Sequence, residues 1–228
     1  MEFDAVLLDV GGVLLLPHPA VTGAALREAE VAHRDEALAW AHYGGVAALD
    51  AAAGDWPQGG APSPYLQGFV RAAGVADEQV DIAVTALRAV FAQPAIDVWA
   101  QLTPWARNGL EALGGHDRPV AVVSNADGTV EAQMHRHRLA QVGPGPGLAV
   151  AAIVDSAVVG VAKPDPAVFT PALQALAVPA ERCCYVGDTV TFDVAGARAA
   201  GMACIHLDPL GACTQGDHPH ARTLVDAW

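Results

Sequence analysis

Lysine is almost absent from this sequence. Of its 12 basic residues, 11 are arginine and only Lys163 is lysine. Together with the abundance of alanine, this points to a GC-rich bacterial coding background in which basic positions drift to arginine. A lysine kept in that background marks a place where a compact ammonium is wanted and the wide planar fork of arginine is not. Positive charge of any kind is scarce. Against 25 acidic residues the chain carries a formal net charge of −13, which excludes a nucleic acid or an anionic membrane as partner, since either needs a positive face. Long apolar runs are missing too, and none approaches the ~18 residues of a membrane span. The first residues include Glu2 and Asp4 rather than a basic stretch, so no signal peptide is expected and the chain reads as soluble and cytoplasmic. The four cysteines, Cys183, Cys184, Cys204 and Cys213, show no CxxC spacing and read as reduced core thiols. The stretch GPGPG (143–147) is not followed by a helix start, so it is a stiff loop rather than a phosphate-binding one. No internal repeat is present.

What the chain does have is apolar residues, 53% of 228, enough for one large core or a core with a smaller inserted domain. Five short β-branched runs bounded by turn signals predict buried parallel strands: 3–9, 119–125, 150–156, 182–188 and 202–208. Helical segments separate the later ones. One starts at Thr129, one opens with Asp165 as N-cap and Pro166 in its first turn, and one closes on Gly201. This alternation predicts an α/β fold, a Rossmann-like doubly wound parallel sheet with helices on both faces. About a hundred residues without strand signal follow the first strand, too many for a loop. They carry helix-like stretches near 20–54, 64–73, 77–92 and 104–113, and predict a small helical domain over the sheet's carboxyl edge. The expected division is a core of 1–16 and 100–228 with an insert of 17–99.

Asp9, Ser124 with Asn125, and Asp188 each fall at the carboxyl end of a predicted strand, where open α/β sheets place their ligands. Lys163 follows another strand. Singly, each has an ordinary reading: Asp9 a turn former, Ser124 a helix cap, Asp188 an Asx-turn, Lys163 a surface lysine. Together, in four motifs, they form a pattern. The motifs are LLDVGGVL with Asp9, VVSNAD with Ser124, AKPDPAVF with Lys163, and YVGDTVTFDVAGARAAGM with Asp188 and Asp193.

In these motifs the sequence resembles the haloacid dehalogenase superfamily of hydrolases, over roughly 3–16 and 104–208, and the insert occupies the place of that family's first-type helical cap. The resemblance implies a hydrolase of small phosphorylated molecules in which Asp9 attacks phosphorus and forms an aspartyl-phosphate. It implies Mg²⁺ held by the Asp9 carboxylate, the Gly11 carbonyl and Asp188, with Asp193 ligating or orienting a bound water. Lys163 and the Ser124 hydroxyl would clamp the transferred group, and Asn125 and the amides of Val10 and Gly11 would add donors.

One position departs from the pattern. Where the family's phosphatases carry an Asp that protonates the leaving group, this chain has Gly11, and a positioned acid is worth ~10²- to 10⁴-fold in rate. A glycine held at positive φ would also resist replacement. Two further readings follow from that gap. A haloacid dehalogenase needs no proton donor but has no use for the acidic GDT…D pair, and a non-catalytic binding protein leaves Asp9, Lys163 and Asp188 without a reason to coexist. Among histidines, His18 closely follows the nucleophile loop and is the best candidate to face a substrate, ahead of His42, Tyr43 and Trp56, for which ordinary packing is the simpler reading. His135 and His137 point apart on a helix, and His218 and His220 fall in a polar tail.

Overall fold

The computed structural model describes residues 3–52, 63–93 and 96–227. They form two compact units, one of Met1–Leu14 with Thr103–Trp228 and one of Leu15–Leu102.

The first unit is built on a six-stranded sheet. Its strands are β1 (Ala5–Leu8), β4 (Val120–Ser124), β7 (Ile153–Asp155), β8 (Cys183–Gly187), β9 (Ala203–Leu207) and β10 (His220–Ala221). Their order is β10-β9-β8-β1-β4-β7, and every pairing is parallel. β1, β4 and β8 are buried at every residue. That is why they read as unbroken apolar runs rather than alternating ones: a parallel sheet is covered on both faces. One face carries Leu7, Ala121, Val123, Val154 and Tyr185 against Val168, Phe169 and Leu176, with Phe169 edge-on to the Tyr185 ring at 5.0 Å. The helices of this unit are α6 (Ala106–Gly114), α7 (Val130–Arg136), α8 (Ser156–Val159), α9 (Thr170–Leu176) and α10 (Ala195–Ala199). A small parallel pair, β5 (Ala140–Val142) with β6 (Leu148–Val150), stands beside the main sheet as a sheet of its own.

The strand order fixes where a ligand belongs. From β1 the chain goes to β4 and β7 on one side, then returns to β8, β9 and β10 on the other. Such a reversal opens a crevice at the carboxyl ends of the central strands, here those of β1, β4 and β8.

The second unit holds α1 (Pro19–Glu28), α2 (Asp35–Leu38), α3 (Ala41–Ala51), α4 (Ser63–Ala72) and α5 (Val80–Phe91). It also holds an antiparallel pair, β2 (Leu15–Pro17) with β3 (Trp99–Leu102), whose register shifts between Leu16 and Pro17. The strand-free reading of the insert is corrected by this pair. Three or four residues are too short to show a two-residue period, and β2 merges with the apolar run that begins in β1. α3 and α4 approach through glycines. A Cβ on Gly68 would lie 2.4 Å from the Gly44 carbonyl. His42 and Tyr43 are interior residues of this unit, with the His42 Nδ1 3.0 Å from the Tyr65 hydroxyl. Trp56 lies outside the described residues. No described helix is long and apolar enough to cross a membrane.

Candidate active site

Asp9 is delivered by β1 and is still fixed by the sheet, its N–H donating to the Val186 carbonyl at 2.9 Å. Beyond it the chain turns, with the Leu14 N–H donating to the Val10 carbonyl at 2.8 Å. The turn's left-handed residue is Gly12, at φ 68°, a conformation glycine adopts without strain. Gly11 is not among the residues with positive φ, so backbone handedness does not demand glycine there. The incoming chain is stitched to this turn by Thr103 Oγ1 and Trp105 Nε1, which donate to the Val13 carbonyl at 3.0 and 2.9 Å.

Lys163 is fully engaged. Its Nζ donates to Asp193 Oδ1 at 2.6 Å and to the Tyr185 hydroxyl at 2.7 Å, and it pairs with Asp9 Oδ2 at 2.9 Å. An ammonium has three protons, and all three are spent. The tyrosine passes its own proton to the Val123 carbonyl at 2.9 Å. Only 2% of Lys163 is exposed. Burial pulls its proton affinity down, but the carboxylates of Asp193 and Asp9 outweigh that and hold the ammonium above the ordinary lysine range. The backbone is clipped as well: Lys163 N–H donates to Asn125 Oδ1 at 2.8 Å, and Asn125 Nδ2 donates to the Lys163 carbonyl at 2.9 Å.

Asp193 is the anchor of the set. It lies in a π-helical turn (Val190–Val194) capped by Thr189, an irregularity of the kind often found at functional sites. Its Oδ2 accepts from Asp188 N–H at 3.1 Å, Thr189 N–H at 2.9 Å and Thr189 Oγ1 at 2.7 Å. Burial disfavours its charge, yet Lys163 and the Thr189 donors more than compensate, and its carboxyl is held below the usual range. The approach requires a glycine behind it, since a Cβ on Gly187 would come within 2.3 Å of Asp193 Cγ. Asp188 is 3% exposed, and its carbonyl accepts from His206 Nε2 at 2.9 Å.

Asp9 is the least satisfied member. Its Oδ1 is buried and has no protein hydrogen-bond partner. Burial above all, and then the charges of Asp193 and Asp188, push its carboxyl up to about 7 despite the pull of Lys163. The two directions agree. One ammonium faces three carboxylates; Asp193, with four donor contacts, keeps its charge, and Asp9 carries the excess. Ligand oxygens of Asp9, Asp188 and Asp193 all lie within 4.8 Å of one another. An orphaned buried oxygen in a set of hard oxygen donors fits a small divalent cation.

Of the residues expected from the sequence, Asp9, Lys163, Asp188 and Asp193 converge. Asn125 reaches the same place in a different role, because its amide is taken up in holding the Lys163 backbone. Both Asp193 oxygens are already committed to protein donors. Ser124 is buried at the end of β4, level with Asp155 in β7, and among the described residues its hydroxyl makes no hydrogen bond. His18, in the second unit, caps α1 by accepting from Ala20 N–H at 3.1 Å. Tyr185, Thr189, Gly187 and His206 were not singled out from the sequence. Tyr185, Gly187 and Thr189 lie in the motif that carries Asp188 and Asp193, and in the structure Tyr185 pairs with Leu7, two residues before Asp9, and so shares its face of the sheet.

The family model described as haloacid dehalogenase-like hydrolase matches residues 3–201. A phospholysine phosphohistidine inorganic pyrophosphate phosphatase from Rattus norvegicus is 35% identical over 75 residues, which is 33% of this chain and 27% of the relative. A glyceraldehyde 3-phosphate phosphatase from Methanopyrus kandleri is 40% identical over 55 residues, 24% of each chain. These alignments therefore span only about a quarter of either relative. Among solved structures, a HAD phosphatase from Thermococcus onnurineus superimposes with a TM-score of 0.58 at 16% identity, covering 100% of this chain and 96% of that one. At that identity the likeness concerns the fold.

Proposed function

The chain belongs to the haloacid dehalogenase-like hydrolases, and from that premise we propose that it is a Mg²⁺-dependent hydrolase of small organic phosphates acting through Asp9. The observation that carries this reading is the state of Asp9: a buried carboxylate with one oxygen on Lys163 and the other without a partner, beside a second acidic residue. The same acidic set argues against dehalogenation, which has no use for a cation. Asp9, Asp188 and the Gly11 carbonyl would hold Mg²⁺. When bound, the ion would offset the charge of both the carboxylates and the phosphoryl oxygens.

The chain's own residues do the rest. The Asp9 carboxylate oxygen forms a bond to phosphorus while the ester oxygen leaves with its electron pair, giving an aspartyl-phosphate and an alcohol. Lys163 keeps its proton throughout and supplies fixed positive charge beside the transferred group. Asp193 and Tyr185 are positioning residues for it, Asn125 its backbone clip. No side chain at Gly11 protonates the departing oxygen, so solvent does so, or the leaving group departs as a stable anion. Water then cleaves the acyl phosphate and returns Asp9 with inorganic phosphate.

The test is phosphate release from a panel of aryl, acyl, anomeric and alkyl phosphates, with and without Mg²⁺, for wild type and Asp9→Asn. Release that needs both Mg²⁺ and Asp9 supports the proposal. No release from any ester with Mg²⁺ present overturns it and leaves a binding protein.

A further inference from the structure

A second set of ligating side chains meets at the edge of the same sheet, in a part of the sequence that reads as a polar tail. His206 in β9 stands opposite His220 in β10, and Cys213 and His218 come from the loop between these strands. One ligand atom from each of the four lies within 4.8 Å of all the others. His206 Nδ1 is 3.2 Å from His218 Nε2, and Cys213 Sγ is 3.8 Å from that same nitrogen. With Zn–N near 2.0–2.1 Å and Zn–S near 2.3 Å, a tetrahedral ion sets neighbouring ligands about 3.3 Å apart for two nitrogens and about 3.6 Å for nitrogen and sulfur. The observed separations are close to those.

The tautomers supply an independent argument. The Asp188 carbonyl can only accept, so the proton of neutral His206 is on Nε2, which donates to it at 2.9 Å. His218 Nδ1 faces the Asp217 carboxylate at 2.7 Å, which Arg198 holds at 3.0 Å, so its proton is on Nδ1. The two bare nitrogens then point their lone pairs at each other across 3.2 Å. That contact is repulsive unless something positive lies between them. Histidine metal ligands are commonly oriented in this way, with the far N–H on a carbonyl or carboxylate. Cys213 is presented by a turn, its N–H donating to Asp208 Oδ2 at 3.0 Å.

We propose that His206, Cys213, His218 and His220 form a tetrahedral site for a borderline transition cation, zinc(II) by its donor chemistry. Three imidazoles and a thiolate suit zinc and reject Mg²⁺, which takes oxygen. Binding displaces the thiol proton of Cys213 to solvent and leaves the imidazoles neutral. The ion pins the loop and β10 to β9. Through the His206 N–H it also steadies the Asp188 carbonyl, next to the acidic cluster.

The experiment uses full-length, tag-free protein stripped with a chelator, then titrated with Zn²⁺ against a chromogenic competitor in excess Mg²⁺. The Mg²⁺ keeps the carboxylate cluster from reporting. One equivalent of zinc is expected, with Cys213→Ser and His220→Gln each weakening it at least about a hundredfold. These positions are partly or largely exposed, so folding, checked by circular dichroism, should survive. Cobalt(II) should give tetrahedral visible bands plus a thiolate charge-transfer band that disappears in Cys213→Ser. Asp188→Asn should retain the full equivalent of zinc. The proposal is overturned if wild type takes up no zinc, as a proton shared by His206 and His218 would require, or if both ligand variants bind like wild type.

Discussion

Replacing Lys163 by methionine keeps the length and volume of the side chain and removes only its charge and protons. In the wild type that ammonium is 2% exposed and has acceptors at 2.6, 2.7 and 2.9 Å. Without it, Asp9 and Asp193 share a dry site with no cation. Breaking a buried pair by removing one partner costs about 3–5 kcal/mol, a large part of the ~5–15 kcal/mol that holds a domain together. For 150–250 residues each kcal/mol moves Tm by about 2–4 °C, so Lys163→Met should melt about 6–20 °C below wild type in a chelator. The loss should depend on pH. Asp193 is held below its ordinary 3.8 in the wild type, so its pairing contributes stability above that value and loses it as pH falls through the lowered one. In the variant, burial is no longer opposed. The carboxyl rises above 3.8 and penalises the folded state at every higher pH. The gap in Tm between the two proteins should be widest near neutral pH, narrow as pH falls towards 3.8, and close only below the lowered value of Asp193. Scanning calorimetry between these limits is the assay. A gap of under about 2 °C, or one indifferent to pH, would refute the view that Lys163 is what makes this acidic cluster tolerable.

Asp9→Asn should abolish phosphate release yet stabilise the metal-free protein: since burial pushes Asp9 up to about 7, wild-type stability declines as pH rises from 3.8 to that value, and the variant's advantage in Tm should grow over the same interval. Lys163→Arg keeps the charge but replaces a point donor by a fork, and kcat should fall by ~10²- to 10³-fold, the scale of a lost preorganised donor; wild-type kinetics would show that the lysine is incidental. Gly187→Ala places a methyl 2.3 Å from Asp193 Cγ, so it should cost about 1–3 kcal/mol by overpacking and depress kcat with it, read from urea denaturation and steady-state rates. Gly11→Asp faces no positive φ and should flatten the dependence of kcat/KM on leaving-group acidity, measured over a graded series of esters, by helping alkyl phosphates most.

The five strands of the sheet that could be read from the sequence share one property: each is apolar and β-branched over at least four residues or flanked by clear turns. β10 was not legible, because His220–Ala221 is two residues long and is defined by its partner, not by its own pattern. The strand-end positions of Asp9 and Asp188 were legible for the same reason as the strands, since a carboxylate closing an apolar run is local information. Lys163 was legible through composition. What was not legible is how these groups are held. That Asn125 clips the Lys163 backbone, that Thr189 and Gly187 shape the seat of Asp193, and that His206 grips Asp188 from the next strand are facts of pairing between segments up to 38 residues apart. No spacing rule encodes them. The histidines near the end of the chain show this most plainly, since His206 meets His218 and His220 only because β9 and β10 pair in parallel.

The charges of the cluster account for much of this arrangement. Three carboxylates and one ammonium leave an excess of negative charge in a nearly dry place, and each supporting contact decides which carboxylate bears it. Asp193 is given Lys163 and three Thr189–Asp188 donors, so its charge is structural. Asp9 is given one contact and an orphaned oxygen, so its charge is available. A fully satisfied Asp9 would make a more stable protein and a poorer nucleophile and cation ligand. The glycine at position 11 belongs to the same balance. A fourth carboxyl two residues from Asp9 would add to the negative charge that already raises Asp9, and neighbouring like charge favours the protonated form. That is the state needed to donate to a leaving group. Charge repulsion in the cluster thus favours the acid form of a carboxyl placed at position 11, and restoring one there is expected to help the poorest leaving groups most.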